Sequence, residues 1–471
     1  MFNYLKTLKN RLLFRLNKSR YKKWKRLKKD RRRDRDTYTF VRSRNLLNKD
    51  KPKEAWALIQ RDDLYKKNEI FLFDTCATLL QGLGRKKFAF DLFLEQQEKK
   101  FPNLKNRQNI KRIVSDIWPG AIGHIATIDY LCKQNIIENA NSEILFFANT
   151  PIANEYLWEQ YRKDYKFISY DDWSSIDEFE REFSKVHYLF PRQNNGEIKY
   201  FWEAAAKTYQ EWESTDRPAS FKIQKQIELS GNRNLESVGI GENDWFVSLH
   251  VRSRTSKAHH SGLHDVLNAD IDDYIPAIQE ITDRGGWVIR LGDPSMPTLP
   301  KMERVFDYCH SDMKSDWMDI FLLAKARFFI GTSSGPAYVP PLFNVPCVLT
   351  NWWPPAQRPW HKRDIFIPKL YKNFLTGELL PLSISLSEPF SYCHSQNYLL
   401  NEFGVVVRDN CKHEIVSAVQ EMIAILTNNE QYEESDYVIR QQVNEIYDKY
   451  EAYGSANLAK KFVQDHLGLL K

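Results

Sequence analysis

A turn of small hydroxylated residues stands between two apolar runs in the C-terminal part of the chain. Residues 326–351 have the pattern of a buried strand, a turn, a short helix and a second buried strand, and the turn reads Thr332, Ser333, Ser334 and Gly335. Hydroxyl groups and the free N–H groups at the start of a helix bind anions, and glycine lets a phosphate approach the backbone. The sequence therefore predicts a phosphate site, with an ordinary helix cap and glycine turn as the alternative.

Polar residues also follow the other predicted strands of this part of the chain. Because the carboxyl ends of parallel strands meet at one edge of a sheet, we expect these residues to face one cleft. Two arginines beside the turn can neutralise a diphosphate, and an aspartate can accept a ribose hydroxyl or hold an arginine. Taken singly, each is also explained as an ion pair or a turn former. The residues are His250 and Arg252 at the end of the strand 245–252, Arg290, Gly292 and Asp293 in the strand and turn 287–293, and Asn351 after the fourth strand.

Three histidines follow this first strand on a polar loop. His259, His260 and His264 are conceivable metal ligands, but no acidic residue accompanies them at a ligand spacing, and a mobile substrate loop is favoured. Two acidic pairs, Asp171–Asp172 and Asp272–Asp273, are interpreted as helix caps rather than as a metal–diphosphate motif. The sequence thus predicts no metal site.

Several common enzyme classes lack their motifs in this chain. There is no glycine-rich Walker loop, no Gly-x-Gly-x-x-Gly after a strand and no serine elbow, which argues against an ATPase, a dinucleotide oxidoreductase and a serine hydrolase. The six cysteines are scattered, as expected of reduced thiols in the cytoplasm. No apolar run approaches the roughly 18 residues of a membrane span, and no signal peptide is recognisable. These features predict a cytoplasmic protein.

The elements that must position the candidate residues alternate as in a doubly wound sheet. In the second half, helices are predicted over 271–284, 317–325 and 412–426, with a late strand at 405–407. An earlier alternation has a strand near Ile113, a glycine turn ending in Gly123 and His124, a helix over 125–133 and a strand over 144–148; residues 153–235 are mostly helical. The predicted fold is α/β, with two Rossmann-like halves that enclose a cleft.

The N-terminal residues are of two other kinds. Residues 37–110 have a helical pattern that resembles tetratricopeptide hairpins and also fits a plain helical pair. Residues 1–36 contain sixteen basic and three acidic side chains, so this tail has a net charge of +13. Because the whole chain has a net charge of +7, the remaining residues have a net charge of −6. An amphipathic stripe in the tail predicts an interfacial helix on an anionic membrane surface; nucleic-acid binding and a solvated tail are the alternatives, and the acidic remainder argues against nucleic acid.

Five motifs of the chain together carry a resemblance to known proteins: Leu249–Arg252, Gly285–Pro294, Asp319–Leu323, Phe328–Gly335 and Ile367–Lys369. They resemble a family of bacterial glycosyltransferases found with surface-polysaccharide genes. The match spans about residues 115–460, and its second half is similar, more distantly, to O-fucosyltransferase-like enzymes and to heptosyltransferases. These families have the two-domain GT-B fold, with the acceptor on the N-terminal half and the sugar nucleotide on the C-terminal half.

The resemblance implies a role for each candidate residue. Arg252 and Arg290 would stabilise a departing diphosphate, aided by the hydroxyl turn, in place of a metal ion. His250 would orient Arg252 or the acceptor, and His124, on the acceptor side, would be the general base of an inverting reaction. Residues implied only as part of the donor site are Gly292, Asp293, Asn351 and Lys369.

The expected protein is a metal-independent glycosyltransferase that uses a nucleoside-diphosphate sugar and no other cofactor to extend a surface glycan or a lipid-linked precursor. The alternatives are heptosyl transfer from an ADP-sugar and a non-catalytic scaffold in which the helical residues bind a protein partner. The expected segments are a basic tail (1–36), a helical module (37–110), an acceptor domain (111–235), a sugar-nucleotide domain (236–425) and C-terminal helices (426–471).

Overall fold

The protein is described by a computed structural model. It describes residues 35–67, 69–102, 111–114, 118–138, 143–146, 151–168, 170–178, 180–181, 189–193, 195–215, 217–253, 262–430 and 432–471. Residues 1–34 of the basic tail, together with His259 and His260, lie outside these ranges, so the predictions about them stay predictions. Among the described helices, none combines the length and the apolar character needed to cross a membrane.

The helical module of residues 35–102 forms two helical hairpins. Its helices are α1 (Arg35–Asn48), α2 (Pro52–Arg61), α3 (Glu69–Ala77) with a π-helical extension (Thr78–Gly82), and α4 (Lys86–Lys100). Phe40, Ile59 and Leu64 form a small apolar cluster of their own, whereas Leu79 and Phe93 join the main core of the molecule. The predicted helices are confirmed, and the module packs as part of the protein body.

The next segment carries a small parallel sheet, as the strand and turn pattern predicted. Its order is β1-β2-β3, and the chain between and after these strands is mostly helical. The strands are β1 (Lys111–Val114), β2 (Glu143–Phe146) and β3 (Lys166–Phe167); the helices are α5 (Ile122–Thr127), α6 (Asp129–Ile137), α7 (Glu155–Arg162), α8 (Tyr170–Ser175), α9 (Phe201–Ser214) and α10 (Lys225–Ser237).

A second parallel sheet dominates the rest of the chain. Its order is β12-β9-β8-β7-β4-β5-β6, and the six strands from β6 to β9 have the doubly wound arrangement in which the first and fourth strands are neighbours. Strands β4, β7, β8 and β9 are buried throughout, as expected of parallel strands covered on both faces. The strands are β4 (Phe246–His250), β5 (Trp287–Arg290), β6 (Val305–Phe306), β7 (Phe329–Gly331), β8 (Cys347–Trp352), β9 (Ile365–Pro368) and β12 (Asn457–Leu458).

Helices cover this sheet, and two further strands form a separate antiparallel sheet. The predicted helix near 271–284 is present, and Tyr274, Ile278 and Ile281 are buried on one face as expected. The remaining elements are α11 (Ile275–Asp283), α12 (Asp316–Lys325), α13 (Leu382–Ser385), α14 (Gln396–Phe403), α15 (Lys412–Leu426), α16 (Glu434–Lys449), α17 (Lys460–Asp465) and the antiparallel strands β10 (Leu370–Asn373) and β11 (Val405–Arg408).

The late strand predicted at 405–407 is confirmed as β11, which pairs with β10. Two expectations differ from the structure. The C-terminal segment 426–471 contains β12, which adds an edge strand beside β9, and is therefore not helical only. The short helix after the hydroxyl turn is a pair of four-residue 3₁₀ turns, Gly335–Tyr338 and Pro340–Phe343, because the prolines within them remove N–H donors that an α-helix needs.

Buried residues of both sheets belong to one large apolar cluster, and the small sheet has a second, separate cluster of Ile113, Leu145, Ile168 and Ile176. A continuous cluster of buried residues extends from Leu72 in the helical module to Leu469 near the C-terminus. The Trp202 indole on α9 donates a hydrogen bond to the Arg358 carbonyl at 3.0 Å, and this bond joins the two halves. Relative positions of the halves are thus fixed by packing as well as by the chain.

Candidate functional site

Strands β4 and β7 are the neighbours at which the sheet changes direction, and ligands in such sheets bind outside the carboxyl ends of these strands. His250 at the end of β4 lies beside Gly331 at the end of β7. Just beyond the strands, the Arg252 backbone N–H donates to the Thr332 hydroxyl at 3.2 Å. The structure therefore brings the first and third predicted strand ends together, as the sequence pattern indicated.

The hydroxyl turn, Thr332–Gly335, is buried and tied to its surroundings. Ser333 Oγ accepts a hydrogen bond from the Trp353 backbone N–H at 2.6 Å, and Ser334 Oγ lies 3.0 Å from His250 Nδ1. Because a four-residue 3₁₀ turn follows, the helix dipole on which the predicted anion site relied is small. The turn supplies hydroxyl groups that fix the end of β4, and the positive charge of the site comes from another residue.

That charge is on Arg252, which is 8% exposed. Its Nε donates to the Asn268 side chain at 3.3 Å. Among the described residues, no carboxylate forms an ion pair with Arg252 and no acceptor contacts its two terminal amino groups. Burial lowers the pKa of the guanidinium to about 10, and the charge of Asp265 offsets part of this effect. Arg252 is thus a buried cation whose forked donors are available to an anion.

Lys369 lies on the other side of Asn268. Its Nζ donates to the Asn268 carbonyl at 2.7 Å and to Asp409 at 2.6 Å. Asn268 consequently connects the two cations of the site, with its side chain on Arg252 and its backbone on Lys369. The ammonium group of Lys369 already has a carboxylate partner, so its part in this geometry is to hold Asn268.

Two histidines complete this part of the site, and only one was a sequence candidate. The rings of His264 and His394, here called the histidine pair, pack edge to face with centroids 5.7 Å apart. Burial and the Arg252 charge lower the pKa of His264 to about 4, and burial, His264 and Arg252 together lower the pKa of His394. Both Nδ1 atoms are buried and have no hydrogen-bond partner among the residues that the structure describes. His394 was missed because nothing local distinguishes it; only the fold brings it to Arg252.

Arg290 is placed differently from its predicted role. It is 1% exposed, and its Nη1 donates to Asp307 at 3.0 Å and to the Cys309 sulfur at 2.9 Å. Burial alone would raise the pKa of Asp307, but the Leu299 backbone N–H and the Arg290 guanidinium lower it below its usual range. In this conformation Arg290 has its counter-charge within the protein and is not directed to a ligand.

A trio of potential metal ligands surrounds the same arginine. Asp307, Cys309 and His310 have ligand atoms within 4.8 Å of one another. The positive charge beside these three side chains belongs to the Arg290 guanidinium, which donates hydrogen bonds to Asp307 and Cys309. Burial also raises the pKa of the Cys309 thiol to about 12. The donor set is therefore already neutralised by the protein.

The remaining strand-end candidates have local structural partners. Asp293 caps its own turn by accepting from the Ser295 backbone N–H at 2.8 Å, and no bond joins it to Arg252. A Cβ at Gly292 would lie 2.6 Å from the Met296 sulfur. Asn351, with a positive φ of 49°, donates to the Tyr274 hydroxyl at 3.0 Å. These residues shape the cleft edge and are bonded to it.

On the N-terminal side, Gly123 meets the hydroxyl turn directly. A Cβ on Gly123 would lie 2.6 Å from the Gly335 Cα, so the two backbones touch and neither glycine can be replaced without movement. His124 follows and is partly exposed. The first turn of α5 is thereby held against the switch point of the main sheet.

Neither acidic pair is the helix cap that was predicted, because Asp171–Asp172 lie inside α8 and Asp272–Asp273 lie inside a 3₁₀ turn. The cap before α11 is Asp270, which accepts from the Asp272 backbone N–H at 3.0 Å, so Asp272–Asp273 lie inside the 3₁₀ turn that Asp270 caps. At the other pair, the Asp172 carbonyl accepts from the Ser175 hydroxyl at 2.7 Å.

Comparisons with known proteins give likenesses to solved structures only. No protein-family profile matches the chain, and no curated protein matches it. A glycosyl transferase family 9 protein of Veillonella parvula is 9% identical with a TM-score of 0.31, over 65% of this chain and 80% of that one.

Two structures of the dodecameric iron-containing glycosyltransferase TibC are also similar. The one in complex with ADP-D-beta-D-heptose is 13% identical with a TM-score of 0.31, over 52% of this chain and 58% of that one. The one from enterotoxigenic E. coli is 14% identical with a TM-score of 0.29, over 52% and 59% of the two chains. The chain thus spans less than two thirds of TibC, and likeness at this level leaves function to be argued from the site.

Proposed function

We propose that the protein is a metal-independent glycosyltransferase of GT-B architecture that uses a nucleoside-diphosphate sugar. One observation carries the proposal: Arg252, a buried arginine that has no carboxylate partner among the described residues, lies at the switch point of a doubly wound sheet. A buried cation is costly unless it is paired, so its retention favours an anionic ligand. The motifs Leu249–Arg252 and Phe328–Gly335, which resemble glycosyltransferase motifs, narrow that anion to the diphosphate of a sugar nucleotide.

The chemistry proposed for Arg252 is stabilisation of the leaving group. When the sugar–oxygen bond breaks, negative charge builds up on the nucleoside diphosphate, and a fixed guanidinium in a desolvated cleft stabilises this charge without reorganising. The Thr332 and Ser333 hydroxyls each accept from a backbone N–H and retain their own proton for a phosphate oxygen. No metal ion is required for this charge compensation.

The acceptor is proposed to enter from the side of α5. Gly123 touches Gly335, so residues next to Gly123 border the end of the donor cleft. His124 is the proposed general base that removes the proton from the acceptor hydroxyl, and His250 holds the hydroxyl turn through Ser334. The acceptor class that we propose is a surface polysaccharide or a lipid-linked glycan precursor.

The experiment that tests this function is thermal stabilisation by GDP, UDP, ADP, CMP and dTDP, each with and without magnesium. A ligand present at 100 times its dissociation constant adds about 2.7 kcal/mol, which is a readily measured shift. We expect one nucleotide to stabilise the protein equally with and without magnesium, and ADP as that nucleotide would indicate heptosyl-type transfer. No response to any nucleotide would contradict the proposal and favour a scaffold.

We also propose that residues 1–36 hold the protein on the inner face of the cytoplasmic membrane. Sixteen basic side chains in this tail provide the attraction to anionic lipid, at about 1 kcal/mol for each residue near the surface. A chain without residues 1–36 is expected to lose sedimentation with anionic vesicles. Full retention on the vesicles would contradict this placement.

A further inference from the structure

We propose that His264 and His394 form, together with Arg252, a phosphate subsite that takes up a proton when a diphosphate binds. This inference deepens the proposed function, because that diphosphate would be the leaving group of the sugar nucleotide. The histidine pair has no part in the roles assigned above.

The first argument is charge. Arg252 places a full positive charge beside two imidazoles, and the described residues offer no ion pair to it. A neutral ligand such as a sugar hydroxyl would leave this charge uncompensated in a buried site, whereas a diphosphate would supply more than one negative charge. The ligand class that fits is therefore a phosphate-containing anion.

The second argument is the unmet hydrogen-bonding capacity of the pair. His394 is 6% exposed, and within the described part of the chain the buried Nδ1 atoms of both rings have no hydrogen-bond partner. Buried polar atoms in folded proteins are nearly always bonded, and each exception needs an explanation. An imidazolium bears protons on both nitrogens, so protonated rings beside a phosphate would have oxygen acceptors for the donors that now lack them.

The third argument is that His394 is held rigidly, and the helical module holds it. The His394 backbone N–H donates to the Gln81 carbonyl at 2.6 Å, and the Cys393 thiol donates to the Gly82 carbonyl at 3.5 Å. Asp50, at the corner between α1 and α2, accepts from the Asn397 backbone N–H at 2.9 Å. The module thus forms a wall of the subsite and fixes the segment that carries His394.

The proton uptake follows from the groups that face the pair. The Arg252 charge lowers the pKa of both rings, and the two rings are neighbours. The acidic group near Arg252 is Asp265, which interacts in turn with Asp50. The thiol of Cys393 directly precedes His394 in the chain. In the free protein this environment keeps the pair neutral near pH 7. A bound diphosphate adds negative charge against the rings and raises their pKa, so the pair takes a proton from the buffer.

The test is calorimetric titration of the full chain with inorganic pyrophosphate, without divalent cations, in two buffers of different ionisation enthalpy near pH 7. The variants are His394→Gln and His264→Gln, with His413→Gln as the control because His413 is a largely exposed histidine elsewhere. Titration of pyrophosphate itself is common to all four proteins, so differences between them isolate the imidazoles.

We expect wild type and His413→Gln to bind pyrophosphate with the same proton uptake. Each variant of the pair should take up fewer protons and bind about tenfold more weakly, because it loses a charge-assisted hydrogen bond. Absence of pyrophosphate binding by the wild type would overturn the subsite, as would unchanged uptake in both variants. If one variant does not fold, the proton uptake of the wild type is compared with that of the other variant, and this comparison tests the subsite. If pyrophosphate binds with the expected proton uptake but the protein transfers no sugar, the proposed function is overturned and the subsite is not.

Discussion

Arg290 is the last residue of β5 and Arg252 lies just beyond the end of the neighbouring strand β4, but their surroundings are opposite. Arg290 is paired with Asp307 at 3.0 Å and also contacts Cys309, so its charge is neutralised by the protein. Arg252 has an amide on Nε and no carboxylate partner among the described residues. An arginine at a strand end is therefore not in itself a ligand-binding residue; the presence or absence of an internal counter-charge distinguishes a structural ion pair from an anion site.

The two sites also differ in what supports them. The Arg290 site is built from segments close in sequence, residues 290–310, and stabilises the edge near β5. The Arg252 site draws on the helical module, the hydroxyl turn and the segment that carries His394. Ligand sites assembled from distant segments depend on the whole fold, and we expect the two arginines to respond differently to substitution.

Replacing Arg252 gives the largest expected effect. Arg252→Ala should lower turnover by roughly 10²- to 10³-fold, because it removes a cation that stabilises the leaving group, and should leave the melting temperature nearly unchanged. Initial rates with the stabilising sugar nucleotide measure this effect. Arg284→Ala, which removes an exposed arginine paired with Glu280, is the control and should keep full activity. An unchanged rate for Arg252→Ala would remove this residue from the mechanism.

Replacing Arg290 should affect folding instead. Arg290→Met leaves Asp307 without its partner, and breaking such a buried pair costs about 3 kcal/mol of stability. Denaturant unfolding measures the loss, and nucleotide affinity of the folded fraction should be retained. A stable Arg290→Met protein that no longer binds nucleotide would reverse the assignments of the two arginines.

Gly84 tests the support that the helical module gives to the Arg252 site. Its φ is +64°, and a Cβ there would lie 1.7 Å from the Pro389 carbonyl oxygen, in the segment that leads to His394. Gly84→Ala should cost about 2 kcal/mol of stability and weaken pyrophosphate binding. Gly404→Ala is the matched control, because Gly404 has a φ of +63° with open space around it, and it should show only the backbone cost. Equal binding by both variants would disconnect the module from the site.

The smallest expected effect is the pH dependence of the Arg290 pair. The pKa of Asp307 is lowered in the folded protein, so its contribution to stability is present above the ordinary aspartate pKa of about 4 and is lost as pH falls through the folded value. The stability difference between wild type and Arg290→Met should therefore shrink below about pH 4. A difference that stays constant from pH 7 to pH 3 would show that Asp307 is not stabilised by this pair.

Much of the framework could be predicted from local pattern. Apolar runs bounded by glycine and polar residues located the strands β4, β5, β7 and β8, and helix α15 has the predicted bounds, Lys412–Leu426. Periodicity also identified the buried face of α11. These features depend on a few neighbouring residues, and local sequence contains that information.

Pairing across the fold could not be read from the sequence. Strand β12 is short and has no alternation, so only its place beside β9 identifies it. The partner of Arg290 and the proximity of His394 to Arg252 depend on tertiary contacts that no local spacing encodes. The helix expected after the hydroxyl turn was wrong because proline geometry outweighed the strand-turn-helix pattern.

The most direct test of the account is a crystal structure with the stabilising nucleoside diphosphate bound. We expect the diphosphate outside the carboxyl ends of β4 and β7, with its oxygens within about 3 Å of the terminal amino groups of Arg252. Arg290 should remain paired with Asp307 in that complex. A diphosphate bound to Arg290, with Arg252 free of contact, would contradict the account.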